Sequence, residues 1–303
     1  MNIGQKRGRH IGLLCSLLGY SRQAYYQQIK AVEQQSFEHE LIIQQVLIIR
    51  ANQPKAGSRK LLIMLTAFLR QHRISIGRDA FFTLLSDNGL LVRRRKRRVP
   101  RTTFSDKQLH KYPNLTIGLC PQRANELWVS DITYVAVAEG FGYLSLVTDA
   151  YSRMIVGYHL SRDLRAQGCV KALKMAIRQL PKNTALIHHS DRGRQYGSAE
   201  YVEQLGSRDI AISMTQNSDP RENAIAERVN GILKAELLHT HYQSMTQSTQ
   251  QIGKAIEIYN NERRHSSINM LTPAEAHTHT GELKRHWKNY YTTKQKEAPM
   301  NSA

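Results

Sequence analysis

Cysteine is scarce and poorly placed for bonding. Cys15, Cys120 and Cys169 are the only three in 303 residues. Their odd number and wide separation give neither a zinc-ligand spacing nor a disulfide framework, which fits a reducing cytoplasm. Long apolar runs are also missing: no eighteen consecutive apolar residues occur, so no membrane-spanning helix is expected. Residues 1–10 are basic but lead into only a short apolar patch, without the layout of a secretory signal. Acidic residues are thin in the first third. Residues 1–112 carry 21 Lys and Arg against 6 Asp and Glu, whereas the remainder carries 22 against 18, within a formal charge of +19. A basic third joined to a near-neutral remainder points to a polyanion-binding module attached to something else, with nucleic acid as the polyanion.

The basic third reads as helices. Leu13, Leu14, Leu17 and Leu18 precede Gly19, which can take the positive φ of a sharp turn. Ser21 can then cap a second helix through Tyr25, Tyr26 and Ile29. This is the outline of a helix-turn-helix over residues 1–36, presenting Arg22, Gln23 and Lys30 to DNA, although any small helical hairpin looks similar. A second helical, helix-turn-helix-like domain is expected over 37–92. Its helices would carry Leu41, Ile42, Val46 and Ile49, then residues 59–71, then 78–87 with Asn88-Gly89 as terminator. Arg93, Arg94, Arg95, Lys96, Arg97 and Arg98 follow. Six adjacent cations repel one another until phosphate neutralises them, so 93–125 reads as a basic linker: one that tracks DNA, a solvated tether, or a nuclear-localisation signal, with its place between a helical bundle and a catalytic-looking region favouring the first.

From Leu127 the texture changes to strands: 127–137, 143–148 and 154–160, joined by short turns and so antiparallel. A helix with Val170, Leu173, Ile177 and Leu180 on one stripe stops at Pro181. Residues 185–189 form a buried strand, Ser198 caps the next helix, and 210–214 form a fifth strand. The order βββαβαβα is that of the ribonuclease-H-like α+β fold, a mixed five-stranded sheet flanked by helices, expected over 126–240. A C-terminal helical extension is expected over 241–303.

Carboxylates fall at telling places on this scaffold. Asp131 lies mid-strand among apolar and aromatic residues, which is costly unless a cation neutralises it or the face is open. Asp191 follows a buried strand, and Glu227 lies on the last core helix. Three hard oxygen ligands on rigid elements suit Mg²⁺ or Mn²⁺. Any one of them alone is more simply a solvated or capping group. Asp191 and Glu227 have 35 residues between them, whereas Glu222 and Glu236 would leave 30 and 44. Glu222 also lies five residues before Glu227, about 140° around a helix. Asp149 reads as a structural turn former.

Trp128-Val-Ser-Asp-Ile-Thr-Tyr134, His189-Ser-Asp-Arg-Gly-Arg-Gln-Tyr196 and Asn223-Ala-Ile-Ala-Glu227 resemble signature blocks of the transposases encoded by the second reading frame of IS3-type insertion sequences. Tyr259-Asn-Asn-Glu-Arg-Arg-His-Ser-Ser-Ile268 and Leu271-Thr-Pro-Ala-Glu-Ala276 resemble their C-terminal motif, and residues 17–26 extend the likeness upstream. Glu222 departs from the family, which usually has aspartate there. The resemblance implies a DDE transposase of the retroviral-integrase superfamily, with Asp131, Asp191 and Glu227 as catalytic residues and metal ligands. Two ions, with Asp131 shared, would serve one site used twice: water hydrolyses the element's end, then the freed 3′-hydroxyl attacks another phosphodiester. It also implies double-stranded DNA partners (terminal inverted repeats and target), a homo-oligomer in the DNA complex, the upstream-frame protein as a further partner, and a bacterial, nucleoid-associated setting. Lys234, seven residues after Glu227, either grips a phosphate or is a solvated lysine. His189 orients substrate or packs. Arg263 and His265 are expected to touch DNA, while Thr272-Pro-Ala-Glu275 reads as a capping box. Two other readings stand beside this one: a DNA-binding regulator with an inactive core, and a nuclease on the same fold.

Overall fold

Between Arg22 and Asn52 the sequence contains neither Gly nor Pro, and the chain runs there as one 31-residue helix, α1. The computed structural model describes residues 11–92, 112–138, 140–216, 220–284 and 286. It divides into two units, Met1–Arg94 and Arg95–Ala303. No helix among the described residues is long and apolar enough to cross a membrane.

In the first unit a helical stretch over residues 11–17 turns at Gly19, whose φ is +73°, and Ser21 Oγ accepts from Ala24 N at 3.0 Å to cap α1. The turn and cap stand where the sequence put them. The helix boundaries differ. Where a break was expected between Ile29 and residue 37, α1 continues, because nothing in that stretch terminates a helix. The single helix expected over 59–71 is instead two, α2 (Ser58–Met64) and α3 (Thr66–Gln71). Thr66 Oγ1 bonds back to the Leu62 carbonyl at 3.2 Å beside the break, a contact that bends helices. With α4 (Arg78–Asp87) these helices enclose Ile42, Val46, Leu61, Leu65, Phe81 and Leu85.

The second unit is built on five strands: β1 (Leu127–Val137), β2 (Gly140–Asp149), β3 (Ile155–Ser161), β4 (Ile187–Ser190) and β5 (Ala211–Met214). Their order is β3-β2-β1-β4-β5. The β1–β2 and β2–β3 pairs are antiparallel, and the β1–β4 and β4–β5 pairs are parallel. This is the mixed sheet expected from the sequence.

Side-chain alternation along β1 divides the packing between two faces. Trp128, with Val147 and Val156 of the neighbouring strands, packs against Val170, Leu173 and Ala176 of α5 (Ala166–Gln179) and against Tyr201 and Leu205 of α6 (Ala199–Gly206). On the other face, Val135, Leu144 and Leu146 pack against Val229 and Ile232 of α7 (Ala224–Ile232). Ile252, Ile256 and Tyr259 of α8 (Met245–Asn261) join that same cluster. The segment expected as a C-terminal extension thus builds the core it follows. Gly157 on β3 is required by close approach: a Cβ there would lie 2.2 Å from the Ala172 carbonyl of α5.

A one-turn π-helix, Leu233–Leu237, follows α7, and α9 (Pro273–His277) opens with the expected capping box between Thr272 and Glu275. Asp149 is fully buried and is the turn former foreseen. Its Oδ1 accepts from Ser152 N and Oγ, and its Oδ2 from Asn125 N, all at 2.7 Å.

Candidate active site

Two of the three singled-out carboxylates are brought together by strand register. Ser130 of β1 pairs with Ser190 of β4 in the parallel ladder. Asp131 and Asp191 therefore follow paired positions of neighbouring strands, which lie about 4.8 Å apart.

Helix α7 delivers the third. Glu227 and Asn230 are three residues apart on α7, so they share one side of the helix, and Asn223 stands at its N-cap. Asn223 Nδ2 donates to the Ser130 carbonyl at 3.1 Å, and Asn230 Nδ2 donates to Asp131 Oδ2 at 2.8 Å. The two asparagines tie α7 to β1, one at the Ser130 carbonyl and one at Asp131 itself, and Glu227 lies between them in sequence. Neither asparagine was picked out from sequence, although their spacing around Glu227 was the available signal.

The charges feel one another. Asp131 is pushed up to about 7, first by burial and then by the Asp191 charge, with a smaller push from Glu227. The Asn230 bond and the Ile132 N–H, which donates to Asp131 Oδ1 at 2.8 Å, act the other way. Burial raises Asp191 against the pull of the Gly193 N–H, which donates to its Oδ1 at 2.9 Å. Glu227 is raised by burial and by Asp191. Mutual repulsion of this kind is what a cation relieves.

The side chains do not form a closed ligand cage: among the described residues no three His, Cys, Asp or Glu side chains are grouped to hold an ion. The donor set itself, three carboxylates with raised proton affinities on a strand, just past the end of β4 and on a helix, fits a hard divalent cation. Lys234 is also at hand. Burial lowers its pKa, against a smaller upward push from the Asp131 charge.

His189 packs. Its Nδ1 lies 2.8 Å from Ser213 Oγ, and its Nε2 donates to the Glu222 carbonyl at 3.1 Å, so both ring nitrogens serve the scaffold. Neighbouring His188 is held neutral, its pKa pushed down by burial to about 3, with Nε2 2.8 Å from both Ser130 Oγ and Tyr201 OH. Glu222 Oε2 accepts from Gln216 N.

Two expected DNA contacts are corrected. Arg263 is 3% exposed, its guanidinium donating to both Glu236 oxygens at 2.8 Å and lying 5.8 Å from the Tyr259 ring centroid. His265 is buried too, with Nδ1 3.0 Å from Ser267 Oγ. Both side chains lie inside the fold, where a DNA backbone does not reach. Arg22 and Gln23 are exposed on the first turn of α1. Arg93, Arg94, Arg95, Lys96, Arg97 and Arg98 lie outside the described residues.

Two family models, each described as an integrase core domain, match residues 121–220 and 208–273. The chain is 34% identical over 270 residues to an uncharacterized 31 kDa protein of insertion element IS600 from Shigella sonnei, covering 86% of this chain and 96% of that one. It is 30% identical to the transposase for insertion sequence element IS629 from the same organism, over 69% of this chain and 70% of that one. Transposase InsF for insertion sequence IS3A of Escherichia coli is 37% identical over 50% of this chain and 53% of its own. Among solved structures, the HTLV-2 integrase catalytic core domain in complex with magnesium matches with a TM-score of 0.42 at 20% identity, over 52% of this chain and 99% of that one.

Proposed function

Because the chain belongs to the IS3-type insertion-sequence transposases with an integrase core, we propose that it cuts and joins DNA strands at a site formed by Asp131, Asp191 and Glu227. The observation that carries this reading is the register of β1 with β4 that sets Asp131 beside Asp191, with the charge of Glu227 felt at Asp131. Two divalent cations, Mg²⁺ or Mn²⁺, supply activation of the attacking oxygen and support for the leaving one. On this reading Asp131 would hold both ions, with Asp191 and Glu227 completing one site each.

The protein's part is to place and to neutralise. In the first step a water oxygen bonds to phosphorus as the bond to the 3′-oxygen at the element's end breaks, leaving a 3′-hydroxyl. In the second that hydroxyl bonds to a target phosphorus and displaces another 3′-oxygen, so bonds made and broken balance. Lys234, within the field of Asp131, would meet a phosphate beside the ions. The basic first third, with Arg22 and Gln23 exposed on α1 and the six cations at 93–98, would hold the duplex ends. Partners on this reading are terminal inverted repeats, target DNA, further copies of the chain and the upstream-frame protein.

Asp131→Asn, Asp191→Asn and Glu227→Gln are each expected to abolish metal-dependent cleavage and joining of terminal-repeat DNA while leaving DNA binding intact. Near-normal strand transfer by any one of them would remove that residue from the site.

A further inference from the structure

Asparagine is a poor choice in the middle of a buried helix. It lowers helix propensity, and its amide must find partners for every polar atom. Asn230 sits in α7 at 6% exposure, and its Oδ1 is buried without a hydrogen-bond partner among the described residues. A leucine of similar size would fill the space without leaving a buried acceptor unsatisfied. Among the described residues the side chain's bond runs from Nδ2 to Asp131 Oδ2 at 2.8 Å.

We infer that Asn230 is a positioning residue for Asp131, fixing the carboxylate that both cations share and thereby setting the affinity of the site for divalent metal. The inference rests on the function proposed above. Its basis is the division of labour around Asp131. Oδ1 accepts from the Ile132 N–H and Oδ2 from Asn230, each at 2.8 Å, so one donor on each oxygen fixes the plane of the carboxylate. Each oxygen keeps a further lone pair for a cation. Asn230 is also three residues past Glu227 on α7, so the helix that carries Glu227 also carries the donor to Asp131. Asn223 differs: it bonds the Ser130 backbone carbonyl and holds the helix, not the ligand. Hydrogen bonds that orient ligating carboxylates commonly change metal affinity or activity by about 10–100-fold when lost.

The test is Mn²⁺ binding by the full chain without DNA, read as free Mn²⁺ by electron paramagnetic resonance, for wild type, Asn230→Leu, Asn230→Gln and Asp131→Asn. Asn230→Leu is expected to bind about 10–100-fold more weakly. Its circular dichroism should be unchanged and its metal-free thermal midpoint no lower. Asn230→Gln, which keeps a donor, should lose less. In cleavage assays the Mn²⁺ needed for half-maximal rate should rise by the same factor, with the rate recovering at high metal. Wild-type Mn²⁺ affinity in Asn230→Leu, alongside lost binding in Asp131→Asn, overturns the role of Asn230 alone. Wild-type affinity in Asp131→Asn overturns the site itself. Asn230→Ala gives the same comparison where the leucine variant does not fold, and wild-type Mn²⁺ affinity there is equally decisive against the inference.

Discussion

In the folded chain Asp131 keeps its proton up to about pH 7, whereas an ordinary aspartate releases it near 3.8. Folding therefore favours the protonated form. That contribution is complete below about pH 4 and is lost as pH rises through 7. Asp191 and Glu227 are raised in the same sense, so they add to the loss. In chelator, the thermal midpoint of the wild type should fall between about pH 5 and 8. Asp131→Asn should reduce that fall and melt higher at the upper pH, even as it removes activity; parallel melting curves for the two proteins would contradict the assignment. Asp131 was legible because a carboxylate among Trp, Val, Ile and Tyr on a strand stands out against its surroundings. Arg263 was not. A cation in a polar motif looks exposed on paper, and its partner Glu236 lies 27 residues earlier, on a turn whose π geometry no local pattern announces.

That turn makes the next claim one about elements. The pair between Glu236 and Arg263 fastens Leu233–Leu237 to the C-terminal end of α8, and hence fixes the end of the helix that carries Glu227 and Asn230. Arg263→Met should cost about 3 kcal/mol of stability in urea unfolding, because it strands one member of a largely buried pair. Duplex affinity per folded molecule should stay unchanged. A DNA-contact role would give the reverse, weaker binding at unaltered stability. The same contrast explains which elements the sequence showed. The five strands and α5 follow from alternation, a regular stripe and Pro181, signals that act over a few residues. The extent of α1 and the break at Leu65 do not: the first depends on the absence of any stop, the second on one hydroxyl turning back to a carbonyl.

At the scale of the whole chain, charge and chemistry are divided between stretches. Cations concentrate in the first 112 residues and the converging carboxylates in the remainder. The candidate site draws on positions 131, 191 and 227 and becomes one place only through the register of β1 with β4 and the seating of α7 across β1. Its members were legible through their separation and neighbouring motifs, while the clamp that unites them needed the fold. The direct measurement is a crystal structure of the full chain soaked in Mn²⁺, with anomalous difference maps. Peaks bounded by Asp131 together with Asp191 and Glu227 are the predicted result. A saturated crystal with Mn²⁺ elsewhere and none between these three side chains would contradict the account.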